Sequence, residues 1–149
     1  MIRCVVATLT LSVVVASNAG AVLPAEIAHA LRDSTYIYLQ SERKSGEMGK
    51  PAEIWFSFDE QAVYVGTRPT SWRVRRIKAG RRKARIAVGK ADGPSFAAVG
   101  ELRHDPALEK KMMAEYARKY PAGWSRFADS FRDGFKSGER VLVRYTPAP

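Results

Sequence analysis

The amino-acid sequence predicts a mainly β domain with inserted helices, built as a small barrel of six short strands. Three observations carry that expectation. Short runs in which apolar and polar residues alternate recur along the chain and are separated by polar, glycine-containing turns. Sustained helical periodicity appears late, between residues 105 and 138. A length of 149 residues with 46% apolar and 27% charged content suits one globular domain with one core.

Taken in order, residues 24–33 form a short amphipathic helix, with Pro24 at its start and Ile27, Ala30 and Leu31 on its apolar face. Residues 35–41 alternate Tyr36 and Tyr38 against Ile37 and Leu39, the pattern of a first strand. A polar turn over 43–50 leads to a second strand over 53–58, with Ile54, Phe56 and Phe58 on one side and Trp55 on the other. Asp59, Glu60 and Gln61 turn the chain into a third strand over 62–66. Pro69 and Thr70 then break the ladder before Val74 and Ile77 resume at helical spacing. Residues 84–89 and 96–102 supply the fourth and fifth strands around the Asp92-Gly93-Pro94 turn. Asp105 caps and Pro106 starts a helix whose stripe of Leu108, Met112, Met113 and Tyr116 ends near Tyr120. Trp124, Phe127, Phe131 and Phe135 continue at spacings of three and four until Gly138, a stripe that reads as core or dimer interface, with a cofactor-covering role as the alternative. Val141, Val143 and Tyr145 form the sixth strand.

Residues 1–21 read as a secretory leader and residues 22–149 as the folded domain. Arg3 gives a positive start, residues 4–16 are a mostly apolar run, and Ala19-Gly20-Ala21 offers a small-x-small cleavage site. The run is too short, and too rich in Thr8, Thr10 and Ser12, for a membrane span of roughly 20 apolar residues. A Sec-exported, periplasmic or secreted protein is expected; the alternative is a cytoplasmic protein whose translation starts nearer Leu23. Cys4 is the sole cysteine and leaves with the leader, so the exported chain has no thiol for disulfides or thiolate catalysis. His29 and His104 stand far apart without a clustered partner, which argues against a metal site.

The charge is uneven. Lys and Arg number 25 against 15 Asp and Glu, a formal +10, which points to an anionic partner. Residues 73–85 hold eight bases and no acid. Nucleic acid is not the expected partner, because Trp72 is the lone aromatic beside these charges where stacking platforms would interleave. The junction 67–77 suits a phosphate: Thr67, Thr70 and Ser71 offer hydroxyls at a helix start, and Arg73 and Arg76 lie one turn apart. The same residues also fit a plain helix cap whose arginines are a solvated face.

Thr67-x-x-x-Ser71-x-Arg73, set between a strand and an Arg-rich short helix that leads to another strand, resembles the FMN-phosphate segment of the pyridoxamine-phosphate-oxidase-like split-barrel flavoproteins. Related deazaflavin-binding proteins share that segment. The resemblance spans roughly residues 35–146 and is best over 55–89. It implies a six-stranded split β-barrel and a homodimer with flavin at the interface, the phosphate held by Thr67, Ser71 and Arg73. Arg73 stands where the closest pattern has lysine, and Trp72 where a base is common. The C-terminal tryptophan-rich segment and Arg-x-His element of pyridoxamine phosphate oxidase proper are missing from residues 140–146, which argues against that substrate.

The expected function is thus an FMN-binding oxidoreductase of unknown substrate, with Thr67, Ser71, Trp72, Arg73, Arg76 and Trp55 as cofactor-binding residues and no acid or base assigned to catalysis. The alternatives are a reductase using the deazaflavin coenzyme F-420 and a non-enzymatic binding protein for a phosphorylated or anionic ligand. A closed barrel of six short strands is filled by its own side chains, so the ligand is expected outside it, between two copies of the chain and beside Trp55, Trp72, Trp124 and Phe131.

Overall fold

The computed structural model describes residues 20–149, and the expected leader therefore lies almost wholly outside the described residues. The elements are α1 (Ala25–Asp33), β1 (Ile37–Ser41), β2 (Ala52–Ile54), β3 (Ser57–Asp59), β4 (Ala62–Thr67), α2 (Trp72–Lys78), β5 (Lys83–Val88), β6 (Ser95–Arg103), α3 (Pro106–Lys119), α4 (Pro121–Ser137) and β7 (Val141–Pro147). Every expected strand and helix is present within a few residues of its expected bounds.

The strands form one curled antiparallel sheet of seven in the order β2-β1-β5-β6-β7-β4-β3. Its two edges, β2 and β3, are consecutive in the chain and separated by Trp55 and Phe56 alone. The curl is thus joined across its edges by the chain itself. The expected strand over 53–58 is this one segment bent in the middle, its first half pairing with β1 and its second with β4. Six expected strands become seven for that reason.

The inner face alternates as a half-buried sheet must. Ile37 and Leu39 of β1, Val63 and Val65 of β4, Ala84, Ile86 and Val88 of β5, and Val143 and Tyr145 of β7 point into one core. Leu23, Ile27 and Leu31 of the N-terminal segment and α1 join that core, and so does Val74 of α2. Phe56 at the bend is fully buried with them. A filled interior leaves the outer face for ligands, as the small barrel implies.

That outer face is aromatic. Ala62 and Tyr64 of β4 and Leu142 of β7 pack under Met112 and Tyr116 of α3 and Phe131 and Phe135 of α4. Gly66 makes the close approach of this layer possible, because a Cβ there would stand 2.8 Å from both Met112 Cε and Phe131 Cε1. Asp105 caps α3 as expected, its Oδ1 accepting from the Ala107 and Leu108 amides at 3.1 Å. Pro121 has no N–H to continue α3, so the chain turns at Tyr120 and restarts as α4. Gly138, at φ 84°, ends α4 in the left-handed conformation.

The bend at Trp55 and Phe56 has a specific cause. Tyr116 Oη donates to the Trp55 carbonyl at 2.9 Å and accepts from the Gly66 amide at 3.3 Å. Tyr120 Oη accepts from the Phe56 amide at 3.1 Å and donates to the Thr35 carbonyl at 2.6 Å. Lys119 Nζ donates to the Phe56 carbonyl at 3.1 Å and stands 3.4 Å from the centre of the Phe56 ring. The backbone groups that leave the ladder at the bend are satisfied by side chains of α3 and by Tyr120 just after it. The Trp55 ring stacks on Tyr120 at 4.4 Å and 6°.

Candidate functional site

The junction between β4 and α2 is built from residues 67–73. β4 delivers Thr67 buried, a turn closes with the Ser71 amide donating to the Arg68 carbonyl at 3.1 Å, and α2 starts at Trp72. Arg73 Nη1 reaches back to Thr67 Oγ1 at 2.9 Å. Ser71 occupies the capping position without making a capping bond. Its buried Oγ has no partner, and neither has the buried Arg73 Nε nor the Tyr145 hydroxyl on the inner face of the sheet.

Burial pulls the Arg73 guanidinium below its usual range, and among the described residues no carboxylate is paired with it. A half-buried cation with a free donor and no counter-charge is costly to keep. An anion relieves that cost. α2 has seven residues, so the attraction rests on these side chains more than on a helix dipole.

Two clefts open beside the junction and share Arg140. One, of about 290 Å³, is walled by Trp55, Phe127 and Phe131 and carries Arg73, Arg140 and Glu53 as its charged groups. The other, of about 370 Å³, lies between Arg68, Pro69 and Thr70 and the end of α4, where Ser130, Glu139 and Arg140 line it. The Arg140 guanidinium stands 4.1 Å from the centre of the Phe131 ring and donates from Nη2 to Ser130 Oγ at 3.2 Å. Burial first and Arg68 second hold its pKa down. Glu53 accepts a hydrogen bond from Tyr38 Oη, which fixes the carboxylate on the β2 side. The result is a groove with guanidinium groups at the junction, aromatic walls and a carboxylate opposite.

A third cavity of about 340 Å³ lies between α3 and β3 and shares no lining residue with these clefts. Its charges are closed in pairs, Lys111 with Asp59 at 2.6 Å and Arg118 with Glu115. It offers no unpartnered group for an anion.

The expected site residues divide. Thr67, Ser71 and Arg73 come together, and Trp55 lines the adjoining cleft. Arg76 turns away from them: its Nη1 donates to the Ser41 carbonyl at 2.9 Å and to Ser41 Oγ at 2.8 Å, tying α2 to β1. One-turn spacing aligned the two Cα atoms, but long arginine side chains reach different partners. Trp72 lines neither cleft and is 69% exposed. Trp124 packs on Phe131 at 5.4 Å, inside the aromatic layer. The sequence reading missed Arg68, Arg140 and Glu53. Arg68 stood within the motif, whereas Glu53 and Arg140 each stood at the start of a different expected strand.

No protein-family model matches the sequence, and no curated protein matches it. Solved structures do. A Listeria innocua protein named for pyridoxamine 5'-phosphate oxidase is similar with a TM-score of 0.59 at 13% identity, over 83% of this chain and 92% of that one. The heme storage protein HutZ of Vibrio cholerae is similar with a TM-score of 0.57 at 15% identity, over 87% of this chain and 92% of that one. An F-420 reductase is similar with a TM-score of 0.54 at 19% identity, over 85% of this chain and 97% of that one. At such identities the likeness lies in the fold, and the fold of this chain is that of the pyridoxamine 5'-phosphate oxidase-like split barrels.

Proposed function

We propose that the groove beside the 67–73 junction binds FMN and that the protein is a flavin-dependent oxidoreductase of unknown substrate. The observation that carries this reading is the pair of unpartnered buried donors, Arg73 Nε and Ser71 Oγ, at the end of an aromatic cleft. Arg73, with Thr67, Ser71, Arg68 and Arg140 around it, suits a phosphate dianion. Trp55, Phe127 and Phe131 suit a flat ring system. FMN, when bound, supplies the hydride or electron transfer. The chain supplies binding, orientation and exclusion of water, and Glu53 stands ready to accept a hydrogen bond across the cleft.

A volume of about 290 Å³ sits at the lower edge of the roughly 300–1,000 Å³ usual for such pockets. Phe127, 46% exposed, borders it. A second copy laid over this face would bury both, which supports a homodimer with a shared site.

The deazaflavin F-420 remains the second reading, favoured by the fold likeness to an F-420 reductase. Heme fits the described residues poorly, because both histidines are exposed and engaged elsewhere, His29 with Asp33 and His104 with Glu109. Titration of the purified chain with FMN, F-420 and inorganic phosphate, followed by visible absorbance and calorimetry, tests the proposal. Saturable FMN binding supports it. A chain that binds phosphate and neither flavin would be a non-enzymatic anion-binding protein.

Export is a further part of the proposal. Leu23 is the first buried residue described, and its amide donates to Gln61 Oε1 at 2.8 Å, while Val22 is 74% exposed. Cleavage before Val22 would therefore leave the fold whole, and N-terminal sequencing of native protein checks it. A native chain starting at Met1 or near Leu23 in the cytoplasm would overturn it.

A further inference from the structure

The exposed face of α2 and the turn into β5 have no role in the groove. We propose that this face docks on an anionic lipid surface, with the Trp72 ring at headgroup level. The inference stands independently of the flavin reading.

Trp55 and Trp124 pack in the aromatic layer, whereas Trp72 leaves 69% of its surface in water. It is the most exposed of the large aromatic side chains among the described residues, and a tryptophan ring, apolar in body with one polar N–H, suits an interface that is apolar on one side and wet on the other. The Arg75 and Arg76 guanidinium carbons stand 5.4 and 5.8 Å from the centre of its ring. Arg75, Lys78 and Lys83 are exposed and enter no ion pair among the described residues. Arg82 faces Glu101 at 3.8 Å, but that carboxylate already takes Arg144 at 3.2 Å and Arg103 at 3.7 Å. The adjoining segment over 41–50, which Arg76 bonds at Ser41 and approaches at Gly49, adds Arg43, Lys44 and Lys50 against Glu42 and Glu47. The face is therefore cationic around one amphipathic ring.

That combination matches a membrane interface. Tryptophan favours the headgroup level, and each base close to an anionic surface strengthens binding by roughly fivefold. Single-stranded nucleic acid is gripped by several successive aromatic platforms, and this face presents one. No described helix is long and apolar enough to cross a bilayer, and the contact proposed for this face is one with the surface of a bilayer.

The test uses the full chain with vesicles of phosphatidylcholine, alone or mixed with phosphatidylglycerol. Residues 1–21 contain no tryptophan and are the same in every variant. Mixed vesicles should shift tryptophan emission to the blue, pure phosphatidylcholine should not, and salt should reverse the shift. Trp72→Phe should abolish the shift. Arg75→Glu with Lys78→Glu should weaken co-sedimentation at least tenfold, whereas the same charge change at Lys110→Glu with Lys136→Glu should weaken it much less. Circular dichroism confirms that each variant is folded. Equal losses in the two double variants would reduce the effect to net charge and overturn the proposal. So would vesicle binding without a Trp72 shift, a shift that tracks protein concentration without lipid, or a shift produced by duplex DNA and not by vesicles.

Discussion

The bend at Trp55 and Phe56 and the junction at 67–73 both interrupt a strand next to buried side chains, and they resolve the interruption differently. At the bend, Tyr116, Tyr120 and Lys119 satisfy the freed backbone groups. At the junction, Ser71 Oγ and Arg73 Nε are left without partners. A closed network is finished structure, and removing a member leaves a buried group unsatisfied. An open one keeps donors to offer, and in the proposed reading Ser71 and Arg73 offer them to an anion. Stability should therefore reside in the first region and ligand affinity in the second.

Breaking the bend gives the largest expected effect. Tyr116→Ala removes a fully buried ring together with two backbone contacts and should cost about 3–5 kcal/mol in urea unfolding. At the junction, Arg73→Ala should weaken FMN by at least tenfold, the loss of a charge-assisted contact of about 1.5–3 kcal/mol, while moving the unfolding midpoint little. Tyr120→Phe keeps the ring and removes the hydroxyl. It should cost about 1–3 kcal/mol by stranding the Phe56 amide, with FMN affinity unchanged.

The last contrast is a dependence on pH. Burial lowers the Lys119 ammonium to about 8, below the usual lysine value. The unfolded chain then holds the extra proton between pH 8 and the ordinary lysine range, so this group makes stability rise with pH in that window. Burial raises the hydroxyls of Tyr116, Tyr120 and Tyr145 above the ordinary tyrosine value of 10.0. Their contribution is whole below pH 10 and is lost above it. Unfolding midpoints should climb from pH 8 toward 10 and fall steeply beyond, and Lys119→Met should flatten the climb alone.

What the sequence made legible follows the range of the interactions involved. The α3 cap at Asp105, the break at Pro121 and the alternation of Ile37, Leu39, Val63 and Val65 are written in neighbouring residues. The bend is not. Ile54, Phe56 and Phe58 alternate without interruption, and the groups that fold the segment belong to Tyr116 and Tyr120, some 60 residues later. In the site, Thr67, Ser71 and Arg73 were legible because one turn of chain gathers them. Arg140 was not, since the 138–141 segment comes to the groove through the packing of α4 on the sheet. Arg76 goes to Ser41 instead, because periodicity fixes where a side chain starts and not where a long one ends.

Titration of FMN into the wild-type chain and the Arg73→Ala and Tyr120→Phe variants, with urea unfolding of the same three preparations, tests the division most directly. The expected result is saturable binding to wild type and Tyr120→Phe and at least tenfold weaker binding to Arg73→Ala, with Tyr120→Phe the one that loses stability. Equal FMN affinity in wild type and Arg73→Ala, or no FMN binding by any of the three, would contradict it.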